Sequence, residues 1–223
     1  MRHPHGLRAA AGGGIVLPAI GASFEGGFFA GAISHTANGV PTHLLIVAPK
    51  ATGASGTGYT ITTDLAWKTS NTTTPGTDSD FDGSANSANM NNASHPAAQF
   101  CETLSIGGYT DWYMPARYEL EIAYYNLKPT TTSNDTLYGT NAYSVPARGS
   151  NYTAGTPAQT TVTAFQTGNS EAFVAGTHWS STEYYSSSSF AWGWDFTDGN
   201  MGGFNKSEYL TGRRVRAFRK LAL

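Results

Sequence analysis

Phe190, Trp192, Trp194 and Phe196 fall at every second position, with Ala191, Gly193 and Asp195 between them. Side chains on a strand alternate between faces, so this spacing predicts a strand with one heavy face turned into a core. Thr197-Asp198-Gly199-Asn200 follows, and its Asp-Gly pair supplies the positive φ that hairpin turns require. Further on, Arg214-Val215-Arg216-Ala217-Phe218-Arg219 alternates arginine with apolar residues until Phe218 breaks the pattern. The stretch from His178 to Arg219 is therefore predicted as a short terminal β-meander. The rest of the chain must supply the layers that bury its aromatic face.

Hydrophobic residues make up 39% of the 223-residue chain and aromatic residues 13%, enough for a real core. Charged residues are only 13%, about half the ordinary share, and Gly, Ser, Thr and Asn take their place. A surface of neutral hydrogen-bonding groups and many turns suits an extracellular or virion protein. The formal net charge of -2 argues against a nucleic-acid partner, because gripping a phosphate backbone needs clustered Lys and Arg. The one basic cluster, at 213–219, alternates with apolar residues and reads as a strand face. Cys101 is the single cysteine, which excludes an intrachain disulfide, and its place in a helical pattern reads as a buried thiol. No apolar run reaches the length needed for membrane insertion.

Residues 1–14 are basic, small and glycine-rich without periodicity, which predicts a flexible N-terminal arm ahead of one domain over 15–223. Leu44-Leu45-Ile46-Val47-Ala48 stops at Pro49 and predicts a central strand covered on both sides. Ile61 to Trp67 reads as a strand or short turn, with Trp67 as a core plug. Between Thr69 and Asn92 the chain is almost entirely polar, predicting a long loop that is mobile, ligand-bound or partner-bound. Within it Asp78, Asp80 and Asp82, followed by Gly83, match the first half of a calcium loop; Asn89 stands where the closing carboxylate belongs. The three aspartates are thus candidate metal ligands for a structural Ca2+, against the plainer reading of an Asx-rich turn. No other cofactor is indicated.

Ala97, Phe100, Cys101 and Leu104 recur at helical spacing behind Pro96, predicting a helix over 94–105. Leu120, Ala123, Tyr124 and Leu127 make the stripe of a second helix opened by Pro115 and ended before Pro129. Residues 130–160 return to polar loop, and Thr161 to Thr167 is ambiguous between short helix and strand. Two helices beside short antiparallel strands and long polar loops predict an α+β fold.

Three ordered motifs now stand out: Gly108-Tyr109-Thr110-Asp111-Trp112-Tyr113-Met114-Pro115 followed by Glu119-Leu120, then Trp179-Ser180-Ser181-Thr182-Glu183, then Arg214-Val215-Arg216-Ala217-Phe218. Together with Leu45 to Lys50 they resemble the Lcl C-terminal-like domain family over roughly residues 14–220. That resemblance implies a C-type lectin-like fold with short twisted strands. The phrases Gly26 to Gly31 and Ile46 to Gly53 resemble its phage forms, which implies a virion location. It also implies scaffold roles for Asp111, Trp112, Trp179, Glu183, Arg214 and Arg216. On elementary grounds Asp111 can cap a helix or pair with Arg117 or Arg214, and Glu183 can accept from 180–182 or from a last-strand arginine.

His178, Glu183 and Asp195 could be assembled into an acid-base set with Ser180 as nucleophile. No nucleophile elbow, metal-ligand pair or phosphate loop accompanies them, so a non-enzyme is expected. Tyr184-Tyr185 beside Ser186 to Ser189 combines aromatic contact area with small adaptable hydrogen-bonding groups, the composition of versatile binding surfaces. The expected function is a phage virion attachment module, a tail or fibre protein; the alternative is a structural virion protein such as a capsid decoration or fibre adaptor. Candidate contacts are Tyr184, Tyr185, Ser187, Trp192, Trp194, Asn200, Phe204, Asn205 and Tyr209, with the two tryptophans shared between core and site. The expected partners are a host-surface glycan or protein, other virion proteins through the arm, and further copies of the chain as a homo-oligomer such as a trimer.

Overall fold

The structure, a computed structural model, describes residues 16–208 and 213–223. The arm expected over 1–14 and the candidate contact Tyr209 lie outside the described residues.

The run Leu44 to Val47 is apolar at every position and forms the middle of a strand, β3, once β1 (Ser23–Phe24) and β2 (Gly27–Ile33) have been laid down before it; β3 spans His43–Val47. It is covered on both sides, as expected. Leu45 and Val47 enter one core and Ile46 enters another, which is the period of two at work. The chain continues through the short helix α1 (Lys50–Gly53) and strand β4 (Ala54–Ser55). Three further helices follow, α2 (Gly83–Ala88), α3 (Pro96–Glu102) and α4 (Arg117–Leu127). After β5 (Ser144–Val145) and a 3-10 turn at Thr163–Phe165 come β6 (Thr177–Glu183), β7 (Phe190–Asp195), β8 (Met201–Asn205), β9 (Val215–Arg216) and β10 (Phe218–Ala222). The fold is α+β with antiparallel sheets, and the described residues hold four α-helices rather than two.

The strands form three sheets: β1-β2-β3-β10 with β5 beside β2, the pair β4-β9, and the meander β6-β7-β8. The meander predicted over 178–219 therefore closes at Asn205. Arg214 meets the start of β6 at a single parallel bridge with His178. Beyond it, β9 pairs with β4 and β10 crosses to β3. Alternation sets which residues share a face but does not name the neighbouring strand. The predicted turn is present, with Gly199 at φ +80°; a β-carbon there would lie 2.6 Å from the Tyr124 ring.

Helix α4 presents the predicted stripe, with Leu120, Ala123, Tyr124 and Leu127 all buried against β2, Trp194 and Phe196. A second core gathers Trp67, Trp112, Met114, Cys101 and Trp179 around Ile46. Trp67 is the plug expected of it, fully buried with its Nε1 donating to the Ser180 carbonyl at 2.8 Å. Burial raises the Cys101 thiol pKa well above its ordinary value, in keeping with an inert buried thiol. Contrary to the expected unbroken loop over 69–92, α2 sits inside it. It carries no apolar stripe and is held by polar bonds: Asp82 caps it by accepting from Ala85 N at 3.1 Å, and Ser87 Oγ accepts from Met114 N at 3.0 Å.

Candidate ligand-binding cleft

A cleft of about 580 Å³ opens between the loop 73–80 and the segment 183–192. One wall is aromatic. Trp192 on β7 lies beside Tyr184, centroid to centroid 4.5 Å, and Tyr184 stacks on Tyr185 at 5.0 Å with planes 22° apart. Tyr185 also approaches Trp192 at 5.8 Å and is 81% exposed, while Trp192 is 7% exposed. Gly203 on β8 pairs with Trp192 and makes this arrangement possible, since a β-carbon there would stand 2.8 Å from the Tyr184 ring. Behind the shelf the Arg117 guanidinium lies 4.8 Å from the Trp192 ring centroid.

The opposite wall is polar and firmly anchored. Thr74 N donates to Glu183 Oε2 at 2.7 Å, Glu183 N donates to the Thr77 carbonyl at 2.7 Å, and Thr182 Oγ1 donates to the Ser79 carbonyl at 2.9 Å. Tyr118 N at the start of α4 donates to the Asp80 carbonyl at 2.9 Å. Thr74 Oγ1 meets His95 Nε2 at 2.9 Å; burial first, and then Lys68 and Lys206, push this imidazole down to about 4. A wall held in place before binding loses little ordering entropy when a ligand arrives.

Three carboxylates face the cleft. Arg117 holds Asp80 through two parallel bonds of 2.6 and 2.7 Å. Lys206 Nζ stands 3.0 Å from Glu183 Oε2. Asp78 is exposed and makes no hydrogen bond or ion pair with the described residues.

Of the candidate contacts, the cleft unites Tyr184, Tyr185 and Trp192, with Ser188 lining it where Ser187 was the expected serine. Ser187 instead bonds within its own turn, accepting at its carbonyl from Phe190 N at 3.1 Å. Trp194 is 1% exposed in the core against Tyr124. Asn200 donates to Asp135 at 2.7 Å near the hairpin turn, away from the cleft lining. Phe204 packs on Trp179 on the other side of the meander, and Asn205 Oδ1 accepts from Ser207 N at 3.1 Å. Residues 73–80 lie in the polar stretch whose unusual length allows a ligand-bound loop, though apart from Asp78 and Asp80 no individual contact in it is legible from the sequence.

The aspartates considered as metal ligands are used otherwise: Asp80 by Arg117, and Asp82 as the α2 cap and as acceptor from Lys220 Nζ at 2.6 Å. Among the described residues no group of three His, Cys, Asp or Glu is placed to hold a metal ion.

The six residues expected as scaffold make these contacts. Asp111 pairs with Arg219, not with Arg117 or Arg214, and Arg219 lies 3.7 Å from the Tyr109 ring centroid. Trp112 and Trp179 are buried, their Nε1 atoms donating to the Tyr109 and Leu65 carbonyls at 3.2 and 2.9 Å. Glu183 serves Thr74 and Lys206 rather than an arginine. Arg214 Nε donates to the Thr57 carbonyl at 2.7 Å. Arg216 is fully buried, donating to the Ala48 carbonyl at 2.9 Å and pairing with Glu171 at 3.0 Å.

The residues weighed for catalysis do not assemble. His178 is fully buried between Phe173 and Phe196, bonded to the Tyr59 hydroxyl at 2.6 Å, and burial with Arg214 drives its pKa well below the usual range. Ser180 is fully buried and donates to the Trp192 carbonyl at 2.9 Å. No helix among the described residues is long and apolar enough to cross a membrane.

No curated protein matches the chain. The Lcl C-terminal domain matches residues 58–216, which include both walls of the cleft, the first two ordered motifs and Arg214 to Arg216 of the third. With well over half of its length matched, the chain belongs to the Lcl C-terminal domain family.

Proposed function

We propose that this chain is a phage virion attachment module, a tail or fibre protein, whose cleft between 73–80 and 184–192 binds a host-surface glycan. The observation that carries the proposal is Tyr185, 81% exposed yet stacked on Tyr184 beside Trp192 at the mouth of the cleft. A flat aromatic surface beside hydroxyl and carboxylate acceptors matches a sugar ring, which offers C–H groups on a face and hydroxyl donors at its edge. The virion placement is supported by the phage-like phrases at 26–31 and 46–53, and a C-type lectin-like architecture by the resemblance that the three ordered motifs carry. On the same reading 15–223 is one domain, 1–14 is an arm joining other virion proteins, and the copies assemble as a homo-oligomer.

Purified protein should bind host-surface glycans, and Tyr185→Ala should weaken that binding by about tenfold or more, the loss typical of an aromatic anchor, at unchanged melting temperature. Undiminished affinity in Tyr185→Ala contradicts the site. A cleft buried between copies in assembled particles would instead favour a structural virion role.

A further inference from the structure

The charge around the cleft goes beyond saying that a glycan binds, and the inference drawn from it rests on the glycan reading above. Three carboxylates, Asp78, Asp80 and Glu183, stand among the lining residues, and no Lys, Arg or His does. Arg117 neutralises Asp80 from behind and Lys206 neutralises Glu183. Lys68 donates to the Thr72 and Thr73 carbonyls at the edge of the same wall, so Asp78 is not the cleft's net charge but the one lining carboxylate without an ion pair to a described residue, in the same cleft as the exposed Tyr185. A carboxylate across from an aromatic face is the arrangement that stabilises an ammonium group, by Coulomb attraction on one side and by the ring quadrupole on the other. The same arrangement repels sialic and uronic acids, whose own carboxylates would meet Asp78.

We propose that the cleft selects an amine-bearing saccharide, a glycan carrying a free protonated amino group, with Asp78 as its counter-ion and Tyr185 as the ring beneath it. The anchored 73–80 wall fixes Asp78 relative to the aromatic shelf, so the pair recognises the position of the amine as well as its charge.

The test titrates the full chain, in low salt and at mildly acidic pH where sugar amines carry a proton, with three probes. These are a glucosamine oligomer with free amines, the same oligomer fully N-acetylated, and a short lysine peptide. The free-amine oligomer should bind roughly tenfold more tightly than the acetylated one, the combined effect of an exposed ion pair and a cation–π contact. The preference should shrink with added salt. Asp78→Asn should remove the preference for the free-amine oligomer over the acetylated one, and an unchanged melting temperature checks that the variant is folded. Equal or tighter binding of the acetylated oligomer, or a preference that survives Asp78→Asn, overturns amine selection but leaves the glycan site standing. Lysine peptide bound as tightly as the free-amine oligomer overturns the saccharide assignment. Binding of neither oligomer, or binding that survives Tyr185→Ala, removes the glycan reading and this inference with it.

Discussion

Glu119 shows how much a single residue of this chain does that periodicity does not reveal. It sits on α4 one position before the apolar stripe, where a helical wheel would turn it toward solvent, yet it is fully buried. Its Oε2 accepts from Ala116 N at 2.8 Å and Gly83 N at 3.2 Å, and its Oε1 accepts from the Tyr113 hydroxyl at 2.8 Å. One carboxyl thereby ties the start of α4, the start of α2 and the segment before Pro115 together. Burial raises its pKa from 4.5 to about 7. Because the folded value lies above the unfolded one, the stability it contributes is fully present below about pH 4.5 and is lost as pH rises through about 7. Glu119→Gln keeps the shape and stays neutral. The unfolding free energy of the natural chain minus that of the variant should fall across this window and level off above it. Denaturant titrations at stepped pH check this, and a constant difference would show that Glu119 is not buried as described. Arg216 teaches the same lesson: it was legible as part of a strand, but not as a buried cation, because its partner Glu171 lies 45 positions away.

Among the elements, the meander was the most legible and the loop facing it the least. Phe190, Trp192 and Trp194 announce β7 through alternation alone, and Asp198-Gly199 announces its turn. Yet the same alternation puts Trp192 at the back of the cleft and Trp194 in the core, a difference made by what packs above each. Loop 73–80 has no periodicity, and it becomes a wall only because β6 and α4 bind its backbone at Thr74, Thr77, Ser79 and Asp80. Gly203 links the aromatic wall to a sheet position, since Tyr184 occupies the space a side chain would fill. Gly203→Ala should push Tyr184 away from Trp192 and weaken ligand binding several-fold, with little change in melting temperature. Unaltered affinity would show that the Tyr184–Tyr185 stack does not carry recognition.

Across the whole molecule, the ends of the chain build a platform and the middle builds the site. Strands β1, β2, β3 and β10 lie outside the family match at 58–216, and β3 pairs with β10 over five residues, Phe218 to Ala222 against Val47 to His43. Both walls of the cleft lie inside the match. The α+β class and the ordered motifs were readable from sequence because each is local. The assignment of strands to sheets and the convergence of 73–80 with 184–192 were not, because both depend on contacts between distant segments. The central claim is that these two segments form one ligand site. It is tested most directly by amide hydrogen exchange on the full chain with and without a saturating free-amine glucosamine oligomer. Slowed exchange at both 73–80 and 184–192, and little change around the separate hollow of about 280 Å³ that Tyr125 and residues between Arg148 and Thr156 line, is the predicted result. Protection confined to 148–156, or to only one of the two walls, would contradict it.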